Sequence, residues 1–292
     1  MPDGDPDGPG VTWRILWRQA EESIGDRTVA RWLCEHASGC DRAEFDAELD
    51  APATNRQVAH LDAMTSRVRE GEPVQYVMGR WAFRRLDVMV DPRVLIPRPE
   101  TESIVEHVMS FLSRRGRTAT STVADLGTGS GVIGLSLLAE SPLDSIVVWM
   151  TDESSGAIDV ARANAAGIGR RAVNARFAVG DWCDALPDEL RGCLDAIVSN
   201  PPYIALDDPE VEPVVVAHEP HGALFAGTDG LDDVRAIVGQ ATQWLAPGGG
   251  LFLEIGHRQA SAVADLFASA GLHDVTVHRD LAGRDRFVVG VV

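Results

Sequence analysis

Val123-Ala124-Asp125-Leu126-Gly127-Thr128-Gly129-Ser130-Gly131-Val132-Ile133-Gly134 decides the fold. Val123 to Leu126 is a short apolar run that predicts a buried strand. Gly127 to Gly131 is a glycine loop, and Val132 to Glu140 predicts a helix that begins as the loop ends. Strand, glycine turn and helix N-terminus together make a nucleotide cradle, because glycines let the backbone approach a ligand and the first helical N–H groups face it. The next strand, Ile146 to Met150, runs into Thr151-Asp152-Glu153. An acid at that point holds ribose hydroxyls bidentately. Gly129-x-Gly131-x-x-Gly134 also satisfies the dinucleotide fingerprint, so the loop by itself leaves NAD and other adenosine ligands equally open.

Outward from this unit the alternation continues. Ala157 to Ala166 predicts a helix and Arg176 to Val179 a third strand, which ends in Gly180-Asp181-Trp182. Asp181 is placed to take an adenine amino group and Trp182 to stack on the base; a core Trp beside a helix-capping Asp accounts for the same pair. Asp195 to Ser199 is a fourth strand. Leu231 to Leu245, Leu251 to Ile255 and Ala260 to Ala270 predict helix, strand and helix, with a turn at Gly248-Gly249-Gly250. Val275 to His278 and Phe287 to Val291 predict a closing hairpin. Strands alternating with helices give an α/β fold, a doubly wound and mostly parallel sheet. The glycine loop, Asp152, Asp181-Trp182 and Asn200 all fall at strand carboxyl ends, where such sheets bind ligands.

The fourth strand stops at Asn200-Pro201-Pro202-Tyr203. Two prolines have no N–H to give a sheet ladder, and Asn200, preceding a proline, is biased to an extended backbone. The result is a stiff turn with an amide, free carbonyls and an aromatic ring. The set suits a planar NH2 group. Asn200 Oδ1 and the Pro201 carbonyl each accept an N–H, and the Tyr203 ring lies against the flat face. Such a nitrogen is a poor nucleophile, and two acceptors select the geometry that aims its lone pair at an electrophile.

Before the sheet the period changes twice. Trp13, Leu16, Trp17, Ala20 and Ile24 make an amphipathic helical stripe; Val29, Trp32, Leu33 and His36 make a second. Ala43 to Leu49 is a third helix. Thr54 caps a fourth through Val58, Leu61, Met64 and Val68, closed by Gly71 and Pro73. From Tyr76 to Ile96, two extended segments joined near Arg84-Arg85 predict a hairpin. Thr101 or its neighbouring acids start a helix over Ser103 to Ser113, and Arg114 to Ser121 is a polar linker. The expected organisation is therefore a disordered tail over 1–10, a helical domain over 11–74, a hairpin linker over 75–97 and the sheet domain over 98–292. Ile204 to Gly227 is a long acidic loop, a lid or partner contact.

Composition excludes several classes. The net charge of −18 disfavours stable nucleic-acid binding. There is no lysine, which removes Schiff-base, pyridoxal-phosphate and P-loop chemistry. Cys34, Cys40, Cys183 and Cys193 form no C-x-x-C pair, so free thiols and no metal are expected. No apolar run reaches the roughly 18 residues of a membrane span, and Met1 to Gly10 lacks the features of a signal peptide, so a cytoplasmic location is expected. Arg80, Arg84, Arg85 and Arg93 make either a basic partner contact or a balance for neighbouring acids, and the second is preferred.

These residues resemble the class I S-adenosylmethionine-dependent methyltransferases, and more closely the HemK/PrmC family of protein-(glutamine-N5) methyltransferases. The resemblance is carried by Gly71-Glu72-Pro73, Leu95-Ile96-Pro97-Arg98-Pro99-Glu100-Thr101-Glu102, Asp125 to Gly131, Ser199 to Ile204, His218-Glu219-Pro220 and Asp280-Leu281-Ala282-Gly283-Arg284-Asp285. Asn-Pro-Pro-Tyr is shared with other amino-methylating enzymes; the Ile-Pro-Arg-Pro-Glu-Thr-Glu segment is more particular. The resemblance implies a seven-stranded Rossmann-like sheet behind a small helical bundle. It implies that Gly127, Thr128, Gly129, Ser130, Gly131, Asp152, Asp181, Trp182 and Asn200 bind S-adenosylmethionine, with S-adenosylhomocysteine as product. Asn200, Pro201, Pro202 and Tyr203 then hold the substrate, the Gly-Gly-Gln glutamine of class 1 peptide chain release factors. A ribosomal-protein glutamine, adenine N6 in DNA, or a non-catalytic adenosine-ligand module are the alternatives.

Overall fold

The computed structural model describes residues 10–116 and 119–292. The tail expected over Met1 to Gly10 lies outside them, Gly10 apart, as does part of the Arg114 to Ser121 linker. The chain divides into two compact units, Met1–Gly79 and Arg80–Val292.

The first unit is helical: α1 (Trp13–Ile24), α2 (Arg27–Ser38), α3 (Arg42–Glu48), α4 (Asn55–Arg69) and a short α5 (Val74–Met78). Its helix starts are chemically marked. The Asp26 carboxylate accepts from the N–H groups of Thr28 and Val29, and Asp41 with Glu44 and Thr54 with Gln57 form capping boxes. The apolar stripes converge on a core of Trp13, Leu16, Leu33, Phe45, Leu61 and Met64, in which Trp13 meets Phe45 edge-on at 5.8 Å. Tyr76, expected to begin an extended segment, lies in α5 instead. Pro73 opens that helix and Gly79, at φ 68°, closes it.

The second unit opens with an antiparallel hairpin, β1 (Arg80–Phe83) and β2 (Leu86–Met89), with Trp81 opposite Val88. Its second strand ends at Met89 and does not reach Ile96. Arg84, at the turn, is left-handed at φ 52° and is anchored by Glu140 Oε1 at 2.6 Å and the Glu102 carbonyl at 2.8 Å. Arg80 pairs with Asp87, Arg93 with Asp91 and, at 4.0 Å, Arg85 with Glu140, so all four hairpin-region arginines face acids. Then follow α6 (Glu102–Arg114), β3 (Ser121–Leu126), α7 (Val132–Glu140), β4 (Ile146–Asp152), α8 (Ser155–Gly167), β5 (Ala175–Val179) and β6 (Leu194–Ser199). The chain ends with α9 (Pro213–His218), α10 (Asp232–Trp244), β7 (Leu245–Glu254), α11 (Ala260–Ser269), β8 (His273–Arg279) and β9 (Asp285–Val291).

The seven strands run β5-β4-β3-β6-β7-β9-β8. The first five are parallel and β9 pairs antiparallel with both β7 and β8. Every residue of β6 is buried, as a strand covered on both faces requires. Ala124, Leu126, Ile197, Leu251 and Leu253 pack with Val234, Ile237 and Trp244 of α10 and Phe267 of α11. Strand order reverses between β3 and β6, and ligands bind such sheets beyond that reversal. Ser199 Oγ donates to the Leu126 carbonyl at 2.7 Å and so fastens the two strand ends together.

One further expectation about local structure is corrected. Gly248 to Gly250 is not a turn outside the sheet but part of β7, where the pairing with β6 slips between Leu194 and Ala196. A Cβ on Gly249 would stand 2.8 Å from the carbonyl oxygens of Ala246 and Leu194, a close backbone approach typical of a bulge. The long loop expected over Ile204 to Gly227 also has regular structure of its own. It holds α9, a 3-10 turn over His221–Ala223 and a parallel bridge between Ile204 and Phe225.

Candidate active site

A cavity of about 330 Å³ opens beyond the carboxyl ends of β3, β4 and β5, a volume within the usual range for small-molecule sites. Gly127, Thr128, Gly129, Ser130, Asp152, Asp181, Trp182, Asn200 and Pro202 all line it. Eight of the nine expected cofactor residues therefore meet at one place; Gly131 does not line it. Gly131 has a structural task, opening α7 at φ 85° where a Cβ would meet Leu135 and Ala161 at 3.0 and 3.2 Å.

The glycine loop is held from both sides. Thr128 N–H bonds to the Thr151 carbonyl at 2.9 Å. Asp152 Oδ2 accepts the Gly129 N–H at 2.9 Å and Oδ1 accepts the Ser154 N–H at 2.9 Å. Asp152 thus fixes the loop and still has lone pairs facing the cavity. Burial raises its pKa, against the pull of those two N–H donors. Gly129, at φ 54°, would carry a Cβ into open space with nothing within 4 Å, so the backbone there is bare towards the cavity. At Gly134 the reverse holds: a Cβ would lie 2.7 Å from Met150 Cγ. The third glycine of the fingerprint serves helix–strand packing.

Asp125, on β3, is fully buried behind the loop. Its Oδ2 accepts from Thr128 Oγ1 at 2.6 Å and from Gly134 N–H at 2.9 Å. Burial pushes its carboxyl up to about 7 despite those bonds, and Asp152 nearby adds to the rise. Asp181 makes no side-chain cap bond to the turn it precedes, so the helix-capping account of that residue fails. Trp182, at φ 41°, serves both sides: its ring packs on the core and over Gly127, where a Cβ would meet Cζ3 at 3.1 Å.

A second cavity, of about 180 Å³, adjoins the motif turn. Leu95, Arg98, Pro201, Tyr203, Val211, Val215 and Leu224 are among its walls, so its lining is mainly apolar. Asn200 lines both cavities. Its Nδ2 donates to Thr101 Oγ1 at 3.3 Å. Thr101 makes no side-chain cap bond to α6, contrary to one expectation; its hydroxyl faces the motif turn instead. Tyr203 Oη donates to Glu254 Oε1 at 3.3 Å, and Gln259 Nε2 donates to the Tyr203 carbonyl at 2.9 Å. Gly230, at φ 72°, lies so close that a Cβ would meet that carbonyl oxygen.

Sequence reasoning missed Asp233, which lines the larger cavity and whose carboxyl burial pushes up to about 6, aided by Glu153 and Asp181. It also missed the roles of Glu219 and Glu254. Glu219 stood in a quoted signature, yet nothing local marks an exposed-loop acid as buried. Glu254 ends an apolar strand, and a lone acid there was the available signal. Among the described residues no group of three or more His, Cys, Asp or Glu is placed to hold a metal ion. No helix among them is long and apolar enough to cross a membrane.

The PrmC N-terminal domain family matches residues 18–79 and the methyltransferase small domain family matches residues 105–217. The release factor glutamine methyltransferase of Xylella fastidiosa (strain 9a5c) is 41% identical over 94% of this chain and 96% of its own. That of Escherichia coli (strain K12) is 36% identical over 93% and 94%. Among solved structures, the hMettl16 catalytic domain in complex with MAT2A 3'UTR hairpin 6 superposes with a TM-score of 0.52 at 15% identity, over 81% of this chain and 82% of that one, a likeness of fold. With identities of this size over nearly the whole length of both chains, this chain belongs to the release factor glutamine methyltransferase family.

Proposed function

We propose that this protein transfers a methyl group from S-adenosylmethionine to the side-chain amide nitrogen, N5, of the Gly-Gly-Gln glutamine of class 1 peptide chain release factors. The observation that carries the proposal is the position of Asn200, on the wall shared by a glycine-loop cavity and an apolar cavity. A reaction between two ligands, one in each, has to pass the motif turn.

The larger cavity fits an adenosine-bearing methyl donor. Gly129 presents bare backbone, Asp152 offers lone pairs for ribose hydroxyls, and Asp181 and Trp182 lie at the carboxyl end of the neighbouring strand β5 for the base. When bound, S-adenosylmethionine supplies an electrophilic methyl on a sulfonium. The chain's own residues do the rest by positioning. Asn200 Oδ1 and the Pro201 carbonyl accept the two N–H groups of the glutamine amide, which turns the nitrogen lone pair towards the larger cavity. The Tyr203 ring supports the amide plane. The same two acceptors stabilise the positive charge that develops on nitrogen. An N-alkylated amide is acidic enough to lose its proton without a strong base, and none is assigned.

Among its described residues the helical unit, Met1–Gly79, carries no catalytic constellation, and docking of the release factor is the role proposed for it. A release-factor substrate supports a cytoplasmic location, and the net charge of −18 disfavours a nucleic-acid substrate. The test is Asn200→Ala. Turnover is expected to be abolished while binding of S-adenosylmethionine, read by calorimetry, weakens far less. Unchanged turnover refutes the mechanism.

A further inference from the structure

An asparagine amide is nearly symmetric in shape, yet one end donates and the other accepts. For Asn200 to receive a substrate NH2, its oxygen has to face the substrate, and something in the protein has to choose that orientation. Nδ2 is committed to Thr101 Oγ1 at 3.3 Å, which leaves Oδ1 to offer. The choice is then passed to Thr101, whose hydroxyl has one proton and both accepts and donates. Thr101 accepts from Asn200 only when its proton points elsewhere.

Glu254 supplies that other direction. It ends β7 at 1% exposure, behind the motif turn, where the Thr101 hydroxyl, itself 2% exposed, is near enough to its carboxyl to favour the charged form. On its other flank Glu254 Oε1 accepts from Tyr203 Oη at 3.3 Å. An ionised carboxylate only accepts, so it draws the Thr101 proton towards itself and leaves the Thr101 lone pairs for Asn200 Nδ2. Asn200 and Tyr203, the first and last residues of the motif, thus lean on one buried acid. Its Oε2 is buried with no hydrogen-bond partner, as is Arg286 Nε nearby. Packing an acid here unsatisfied is a cost with no structural return.

We infer that Glu254, acting through Thr101, sets the orientation of the Asn200 amide, and that Thr101 and Glu254 are positioning residues for methyl transfer. The inference rests on Asn200 as the acceptor of the substrate amide. It gives a task to three signatures at once. The Pro97 to Glu102 segment delivers Thr101. The motif turn delivers Asn200 and Tyr203. The Asp280 to Asp285 turn, whose Asp280 Oδ1 accepts from Ala282 and Arg284 N–H groups, holds Arg286 beside Glu254 through Asp280 Oδ2 at 3.4 Å.

The protonation state of Glu254 decides whether the arrangement is set. Burial pushes its carboxyl up to about 7; Thr101, Arg286 and Tyr203 oppose the rise and Glu100 adds to it. Arg98 contributes positive field at Tyr203 from the same side. Protonated, Glu254 has a proton of its own to give, Thr101 is free to turn its proton to Asn200, and the amide is free to flip its NH2 towards the substrate NH2.

The experiment compares wild type with Thr101→Val, Thr101→Ser and Glu254→Gln, with two readouts. The first is the side-chain 1H–15N pair of Asn200, assigned by its loss in Asn200→Ala and followed across the Glu254 titration. In wild type it is expected to shift with a midpoint near 7, and in Glu254→Gln to stay flat. The second is kcat for methylation of a purified release factor. Thr101→Val is expected to lose about 10- to 100-fold in kcat, the size of loss a misplaced reacting group brings, with a smaller change in KM for the methyl donor, and Thr101→Ser to recover most of it. Wild-type kcat rises with pH through the same midpoint and that of Glu254→Gln does not. A flat Asn200 pair in wild type, or wild-type kcat in Thr101→Val, overturns the inference. Should Thr101→Val unfold, the near-isosteric Glu254→Gln carries the test alone. A wild type that leaves release factor unmethylated refutes the substrate assignment, and the Asn200 resonance then decides the inference without any turnover.

Discussion

Arg98 donates to Glu219 Oε1 at 2.5 Å, although 121 residues separate them, and Glu219 Oε2 accepts the Ile96 N–H at 3.0 Å. The Glu219 side chain is 2% exposed and that of Arg98 32%. One carboxylate therefore pins the Leu95 to Glu102 segment to the loop after α9. Both segments line the cavities at the motif turn, Arg98 in both and Pro220 in the larger.

Arg98→Ala leaves that carboxylate buried with a single N–H partner. Loss of one partner from a buried pair typically costs about 3–5 kcal/mol, and the partial exposure of Arg98 puts the expected loss near the low end, about 3 kcal/mol. Glu219→Gln keeps an acceptor for the Ile96 N–H and is expected to lose less. Urea denaturation of both variants checks the order.

Asp152→Asn replaces an acceptor-only carboxylate at the cradle with an amide. Hydrogen bonds to charged groups contribute about 1.5–3 kcal/mol, so affinity for S-adenosylmethionine is expected to fall about 10- to 100-fold. Isothermal titration calorimetry reads it directly. An unchanged affinity removes Asp152 from the donor site and leaves it the task of holding Gly129.

Gly134→Ala tests the packing of the cradle. The added Cβ would lie 2.7 Å from Met150 Cγ, 2.8 Å from its sulfur and 3.0 Å from Asp125 Oδ2. Overpacking of this kind costs about 1–3 kcal/mol, and how far the buried Met150 side chain can shift sets how much is relieved. The melting temperature is expected to drop, with donor binding weakened in step.

Asp125 gives stability a pH dependence with a definite sign. Its folded pKa, about 7, is above its unfolded value of 3.8. The folded state holds the proton more tightly, so the contribution is fully present below the unfolded value and is lost as pH rises to about 7. Asp125→Asn removes it. Denaturation of the two proteins at a series of pH values is expected to show wild type losing stability relative to the variant across that window, and no further change above it. A constant difference contradicts the assignment.

Much of the fold was legible because its signals are local. The glycine loop, the Thr54 cap with Gln57 and the alternating strands each depend on a few neighbours in sequence. So does the motif turn, since two prolines end a strand wherever they stand. What stayed hidden depends on distant partners. Thr101 looked like a helix cap because Ser, Thr and Asp before an apolar run usually are, yet its hydroxyl is claimed by Asn200, 99 residues on. Tyr76 looked extended because one apolar run serves a strand or a short helix equally until Gly79 closes it. Glu219 carries no mark of burial in its own neighbourhood and Glu254 only the apolar strand it ends, and only the folded chain brings Arg98 and Tyr203 to them.

The central claim is tested most directly by methyl transfer itself. The protein is incubated with labelled S-adenosylmethionine and a purified class 1 release factor, beside a release factor whose Gly-Gly-Gln glutamine is alanine. Label in the first and none in the second is the predicted result. Equal label in both, or none in either while the methyl donor binds, contradicts the assignment of that glutamine as the acceptor.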